Sequence, residues 1–227
     1  MRNHLLIFIL PGLFIASVSA QKVKIGVVAG PVMTTTNRAS NSFAYPDDST
    51  RNRATTVESN FSFFGGMVVS IPISKNIVVK PQLQYIVKGW TVNHDFVSRE
   101  DYKTKPVSHW IELLLNFVYA VPAKNGRFFF GLGPQASYAL SAVLKDSREN
   151  MDKKIEFREG DLNDNIPTAN RFDVGGNLMA EYEFRNGLFL RLNYSRGFID
   201  FRNDLDQTLN PENKNIVVGL GIGYMFK

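Results

Sequence analysis

The sequence contains no cysteine among its 227 residues. That absence excludes a disulfide-stapled scaffold, a thiolate zinc site, an iron–sulfur cluster and a cysteine nucleophile. It also leaves no thiol for a lipoprotein anchor. Histidine is scarce, and only His94 and His109 lie beyond the first twenty residues. After Gln21 no stretch approaches the roughly 20 consecutive apolar residues of a transmembrane helix. No basic run is present either, and Lys+Arg exceeds Asp+Glu by only 26 to 21, which speaks against a nucleic-acid partner. What the chain does have is aromatic and apolar mass. Its 44% hydrophobic and 12% aromatic content, with 18 Phe, is too rich for a disordered chain, and the length suits one domain with one substantial core.

The first twenty residues read as an export signal. Arg2 gives a positive start, Leu5 to Ile15 is apolar, and Ser17-Val18-Ser19-Ala20 places small residues before a cut after Ala20. This is the pattern of a secretory signal peptide. A membrane anchor fits less well, because the run is too short to span a bilayer and Pro11-Gly12 interrupts it. Removal takes Arg2 with it and leaves 25 basic residues against 21 acidic. The expected organisation is a signal over 1–20 and one domain over 21–227.

From there the period is two. Ile216, Val218, Leu220, Ile222, Tyr224 and Phe226 alternate with Val217, Gly219, Gly221, Gly223 and Met225, a strand with one greasy face. Leu188 to Tyr194 and Phe172 to Phe184 behave alike, the latter setting Asp173, Asn177, Glu181 and Glu183 opposite its apolar side. Arg185-Asn186-Gly187 joins those two as a tight hairpin. If Phe184 pairs with Leu188, Glu181 falls opposite Arg191. Alternation recurs over residues 22–33, 60–71, 77–90, 107–121 and 127–142, which makes eight strands.

A soluble barrel or sandwich turns its apolar face inward, whereas a transmembrane barrel turns it outward and fills the lumen with polar groups. Three features select the second. The segments run to about ten to sixteen residues, near the nine to eleven a tilted membrane strand needs and well beyond ordinary soluble strands. The polar faces mix Lys80, Lys88, Glu112, Asp173, Glu181 and Arg191 with Gly, Ser, Asn and Gln, as a narrow interior closed by paired charges would. Connections alternate short (72–76, 122–126, 185–187) with long and polar (34–59, 93–106, 143–168, 200–213), the asymmetry of short periplasmic turns and long outer loops. The expectation is an all-β, eight-stranded antiparallel transmembrane β-barrel in the bacterial outer membrane.

The chain resembles the outer-membrane β-barrel family of Bacteroidetes-type bacteria, the PorT-like porin-family domain. The resemblance rests on His109-Trp110-Ile111-Glu112-Leu113-Leu114-Leu115, Phe128-Phe129-Phe130-Gly131-Leu132-Gly133-Pro134 and Tyr138-Ala139-Leu140-Ser141-Ala142. Further along it rests on Phe172-Asp173-Val174-Gly175-Gly176-Asn177, Leu192-Asn193-Tyr194-Ser195-Arg196-Gly197 and Val218-Gly219-Leu220-Gly221-Ile222-Gly223-Tyr224-Met225-Phe226-Lys227. It implies an up-and-down meander of the OmpA/OmpX kind and lipid or lipopolysaccharide around the barrel. Tyr224 and Phe226 look like the terminal aromatic signal that barrel-assembly machinery reads in such proteins.

Eight strands enclose little more than their own side chains. Lys24, Lys80, Lys88 and Arg191 can pair there with Glu112, Asp173, Glu181 and Glu183, so the lumen is expected to be a plugged polar core. His94-Asp95 with Ser98 nearby would supply types for acyl transfer or hydrolysis, but neighbours in a loop do not position one another. His109, Trp90 and Trp110 read as interfacial residues. Asp161-Leu162-Asn163-Asp164-Asn165 and Asp200 to Asp206 lack EF-hand spacing, and Asp47-Asp48 reads as a turn. No catalytic, cofactor or metal site is assigned. The function expected is a non-enzymatic structural, interaction or accessory subunit of a larger envelope complex for secretion or uptake. The alternatives are a narrow small-solute channel and a loop-based acyltransferase or hydrolase.

Overall fold

The computed structural model describes residues 23–37, 52–96, 100–147, 151–157, 169–201 and 214–226. Nine strands form there: β1 (Lys24–Thr36), β2 (Asn52–Pro72), β3 (Ile77–Phe96), β4 (Tyr102–Ala123), β5 (Gly126–Asp146), β6 (Met151–Lys154), β7 (Phe172–Phe184), β8 (Leu188–Gly197) and β9 (Asn215–Met225). Every pairing is antiparallel, and β1 closes on β9. With β4 pairing β5, eight strands make a closed ring and β6 lies outside it on the far end of β5. Closure removes the sheet edges that an open sheet would expose. The chain is an all-β, eight-stranded up-and-down barrel.

The faces follow the alternation. Leu113, Leu115, Phe117, Leu132, Leu178, Leu190, Leu192, Leu220 and Ile222 are exposed on the outside, while Lys80, Glu112, Glu181 and Arg191 are buried within. A continuous apolar exterior around a polar interior is what lipid, and not water, selects. Tyrosines bound this band at both ends: Tyr119, Tyr182 and Tyr224 toward the short turns, Tyr85, Tyr138 and Tyr194 toward the other end. Each is braced by an aromatic neighbour where the strands bring one close, as in Phe128–Tyr182 (4.6 Å) and Tyr138–Phe172 (5.0 Å). Phe172 to Tyr182 spans eleven residues of β7, the length a tilted strand needs to cross hydrocarbon.

The β7–β8 hairpin turns at Arg185-Asn186-Gly187, where Gly187 takes a φ of 96° that a side chain would strain. Its amide donates to the Phe184 carbonyl at 3.0 Å, and the register sets Glu181 opposite Arg191, as the hairpin length dictates.

Two readings of the sequence need correction. Parts of the segments 34–59, 93–106 and 143–168 that read as loops are strand: β2 begins at Asn52, β3 runs to Phe96, β4 starts at Tyr102 and β5 ends at Asp146. Beyond the lipid no face has to be apolar, so the period-two signal fades although the backbone ladder continues. Trp90 and Trp110 are not interfacial. Both are inside, 3% and 1% exposed, packed on Phe201 with ring centroids 5.6 and 6.0 Å away. The export signal 1–20, Asp47-Asp48, Ser98 and Asp161–Asn165 lie outside the described residues.

The ring is therefore lopsided. The strands β2 to β5 have 20–22 residues, whereas β1, β7, β8 and β9 have 10–13. At about 3.3 Å per residue and a tilt near 40°, the first group rises roughly 50 Å along the barrel axis and the second roughly 25–30 Å. The short strands match the height of a membrane band, and the long ones project beyond it.

Candidate functional site: the lumen network

Strand parity points alternate residues of each strand inward, and the β7–β8 register brings Glu181 and Arg191 together toward the short-turn end of these strands. Arg191 Nε donates to Glu181 Oε2 at 2.7 Å, and its terminal nitrogens reach Glu181 and Gln82. The other Glu181 oxygen takes Lys80, whose ammonium lies 3.8 Å from Glu183 and 3.6 Å from the Phe129 ring centroid. Glu183 in turn holds Lys24 at 2.8 Å. In the other direction Gln82 donates to Gln84, and Gln84 donates to Glu112 at 2.7 Å. Glu112 also accepts from Ser137 at 2.9 Å and lies 2.6 Å from the Lys88 ammonium.

These contacts form one chain: Lys24, Glu183, Lys80, Glu181, Arg191, Gln82, Gln84, Glu112, Lys88. It runs from the short-turn mouth to the level of Trp110, over whose ring the Lys88 ammonium sits at 4.8 Å. In this chain four cations meet three carboxylates, and every one of the three carboxylates has at least one cation beside it. Charges at membrane depth are tolerated only when paired in this way. The glutamines are the links that the sequence did not single out as site residues. Their place on the inward face of β3 was legible, but which carboxylate each would bridge depends on the stagger of β3 against β4 and β8.

Asp173 stands apart from the chain. It sits at the opposite end, accepting from Asn215 Nδ2 at 3.2 Å and from the Ile199 amide at 3.3 Å, and it ties β7 to β9 and to the segment after β8. Gly197 lies against its carboxylate, where a Cβ would collide with both oxygens. Among the described residues no ammonium or guanidinium lies within ion-pair distance of it.

The remaining candidates are elsewhere. His94 lies in β3, stacked on Tyr102 (centroids 4.5 Å, 16° between planes) with Nε2 3.2 Å from the Thr104 hydroxyl. Adjacent strand residues point to opposite faces, so Asp95 does not share a reaction centre with it. His109 faces outward and bonds through Nδ1 to the Tyr85 hydroxyl. Tyr224 and Phe226 are exposed on the outer surface, their rings T-shaped at 5.5 Å. Among the described residues no group of three or more His, Asp or Glu converges on a metal position.

The wall opposite the charge network is apolar and holds residues that the sequence reading did not assign. Phe64 and Phe189 point inward from β2 and β8 and lie over the glycines of β9. A Cβ at Gly221 would stand 2.9 Å from both Phe64 Cζ and Val28 Cγ2, and one at Gly223 would overlap Phe189. The glycines therefore make room for rings, and the lumen is filled on this side by Phe64, Phe189, Val28, Val32 and Met225.

A family model described as the outer membrane protein beta-barrel domain matches residues 19–203. No curated protein matches the chain. Among solved structures, the chain is similar to Ail, the attachment invasion locus protein of Yersinia pestis, at 11% identity and a TM-score of 0.41, covering 91% of this chain and 100% of that one. It is similar to Neisserial surface protein A at 10% identity and a TM-score of 0.41, with the same coverages. OprG from Pseudomonas aeruginosa aligns at 14% identity and a TM-score of 0.42, over 89% of this chain and 95% of that one.

Proposed function

The chain belongs to the outer membrane protein β-barrel domain family, and from that premise we propose a non-enzymatic barrel whose lumen is closed and whose work is done by its surface. The observation that carries this reading is the unbroken chain from Lys24 to Lys88. With Trp90, Trp110 and Phe201 above it, buried side chains occupy the lumen at both levels, where a solute would have to pass. What is left for function is the exterior and the part of β2 to β5 that rises beyond the lipid. Such a crown suits an accessory or interaction subunit of a larger envelope complex, in secretion or uptake.

In this reading residues 1–20 direct export and are removed after Ala20, and the short turns face the periplasm. Tyr224 and Phe226 engage the barrel-assembly machinery during insertion. Arg171 and Arg196, outward-facing beside Tyr138 and Tyr194, meet lipopolysaccharide phosphates at the outer rim.

Planar-bilayer recording of the purified protein tests the closed lumen: the expected trace is flat. Stable, reproducible single-channel steps would overturn it in favour of a narrow channel. Because the chain has no cysteine, Lys105→Cys places a unique thiol on the crown. Cross-linking in intact cells is expected to shift this variant into one discrete larger species, and an unshifted monomer would remove the complex.

A further inference from the structure

At the short-turn end the lumen opens as a cup of about 580 Å³, within the range of small-molecule pockets, roughly 300–1,000 Å³. Its wall carries Lys24 from β1, Arg127 from β5 and Glu183 from β7, with Arg185 at the lip and Val78 and Phe129 beneath. Lys24, Arg127 and Glu183 share the inward parity of their strands, so the cup is a designed end of the lumen and not a gap between turns. Its charge is uneven. Three cations meet one carboxylate, and that carboxylate is already shared by Lys24 at 2.8 Å and Lys80 at 3.8 Å.

Arg127 is the residue left over. The β5–β7 register sets it directly opposite Glu183, but no carboxylate among the described residues lies within ion-pair distance of its guanidinium. It is exposed, so its fork of donors points into an open, positively biased space. A guanidinium in that setting takes a carboxylate or phosphate through two parallel hydrogen bonds. Beneath it Phe129 and Val78 close the floor, with the Lys80 ammonium already over the Phe129 ring, and Pro72, Pro122 and Ala123 line the wall as an accessible apolar surface suited to a ring or short hydrocarbon.

We infer that this cup binds a small oxyanion, carboxylate or phosphate, carried on an aromatic or short apolar body. The anion sits on Arg127 with Lys24 as the second positive charge, and the body rests against Pro72, Pro122 and Ala123. Glu183 keeps Lys24 at the wall and disfavours cations. The site does not depend on whether the crown docks on a complex, because it lies at the opposite end of the barrel.

The test uses the full mature chain in nanodiscs of zwitterionic lipid, titrated with benzoate, phenyl phosphate and neutral benzamide and read by ligand saturation-transfer NMR. Both anions are expected to bind at least about tenfold more tightly than benzamide. Arg127→Gln should weaken them by about tenfold, the worth of one charge-assisted contact. Lys103→Gln, at the other end of β4, should leave them unchanged. Heat-modifiable gel mobility checks that Arg127→Gln still forms the barrel. Tighter benzoate assigns a carboxylate ligand and tighter phenyl phosphate a phosphate one. Equal binding of benzamide, no binding of either anion, or full binding by a folded Arg127→Gln overturns the site.

Discussion

Two walls face each other across the lumen. The wall of β3, β4, β5 and β7 points Lys80, Gln82, Gln84, Glu112, Asn116, Ser137, Asn177 and Glu181 inward, all buried. The wall of β8, β9 and β1 points Phe189, Gly219, Gly221, Gly223, Val28 and Val32 inward, and β2 adds Phe64. One wall fills the space with charges and amides that satisfy one another. The other fills it with rings laid over glycines. The second wall also buries polar residues, Thr34, Asn193, Ser195 and Asn215, and two of its cations join the walls: Lys24 of β1 reaches Glu183, and Arg191 of β8 reaches across to Glu181 and Gln82. The polar wall is specified by pairing, since each group must find a partner or incur a large desolvation cost. The apolar wall is specified by shape, where a single methyl group changes the fit.

The largest effect should follow from cutting the residue that crosses between the walls. Arg191→Met leaves Glu181 with Lys80 alone and Gln82 without its donor. Breaking a buried pair by removing one partner typically costs about 3–5 kcal/mol. Urea titration of the barrel in lipid vesicles is expected to show a loss of this size. Adding Glu181→Gln should restore part of it, because Lys80 still has Glu183 at 3.8 Å, and the two substitutions should be non-additive by roughly 0.5–3 kcal/mol. A single variant that loses less than about 1 kcal/mol would mean that the network merely fills space.

A smaller effect is expected on the apolar wall. Gly221→Val places new carbon 2.9 Å from Phe64 and Val28, and overpacking of this kind costs about 1–3 kcal/mol. Phe64→Leu in the same chain should recover part of the loss by opening space. Gly176→Ala is the control on the outer face, where the nearest atom to a new Cβ is Phe198 Cζ at 3.6 Å. It should be nearly neutral by the same urea titration. If Gly221→Val is as silent as Gly176→Ala, the glycines of β9 are not spacers for rings.

The difference between the walls also explains what could be read from sequence. Eight strands, their antiparallel order and the Glu181–Arg191 register followed from period two and a three-residue turn, because lipid outside and a narrow lumen inside constrain every position. The charged residues of the lumen were legible for the same reason: a carboxylate or ammonium at those positions has nowhere else to go. Asp173 shares their inward parity, but its partners are an asparagine and a backbone amide at the other end. Parity fixes a face and not a height, so it could not separate them. Trp90 and Trp110 were assigned to the interface by residue type, although Trp110 shares the inward parity of Glu112. Above the membrane band the rule that makes the strands visible no longer applies, and the continuing ladder reads as loop.

That upper region sets the smallest expected effect and a different kind of comparison, between the membrane-embedded ring and its crown. His94 is part of the crown, in contact with Tyr102 and Thr104. Stacking of that kind contributes about 0.5–1.5 kcal/mol, so His94→Ala should lower the unfolding free energy from the urea titration by about that amount, well below Arg191→Met. Its neighbour Asp95 points to the opposite face, so a proton relay between them is not available. A lipid acyl-transfer assay should therefore give the same baseline for the parent chain and for His94→Ala. Measurable transfer by the parent that disappears in a folded His94→Ala chain would make the crown a catalytic surface and end the non-enzymatic reading. Equal baselines with a small stability loss would leave the crown as a scaffold, with stability held in the ring below it.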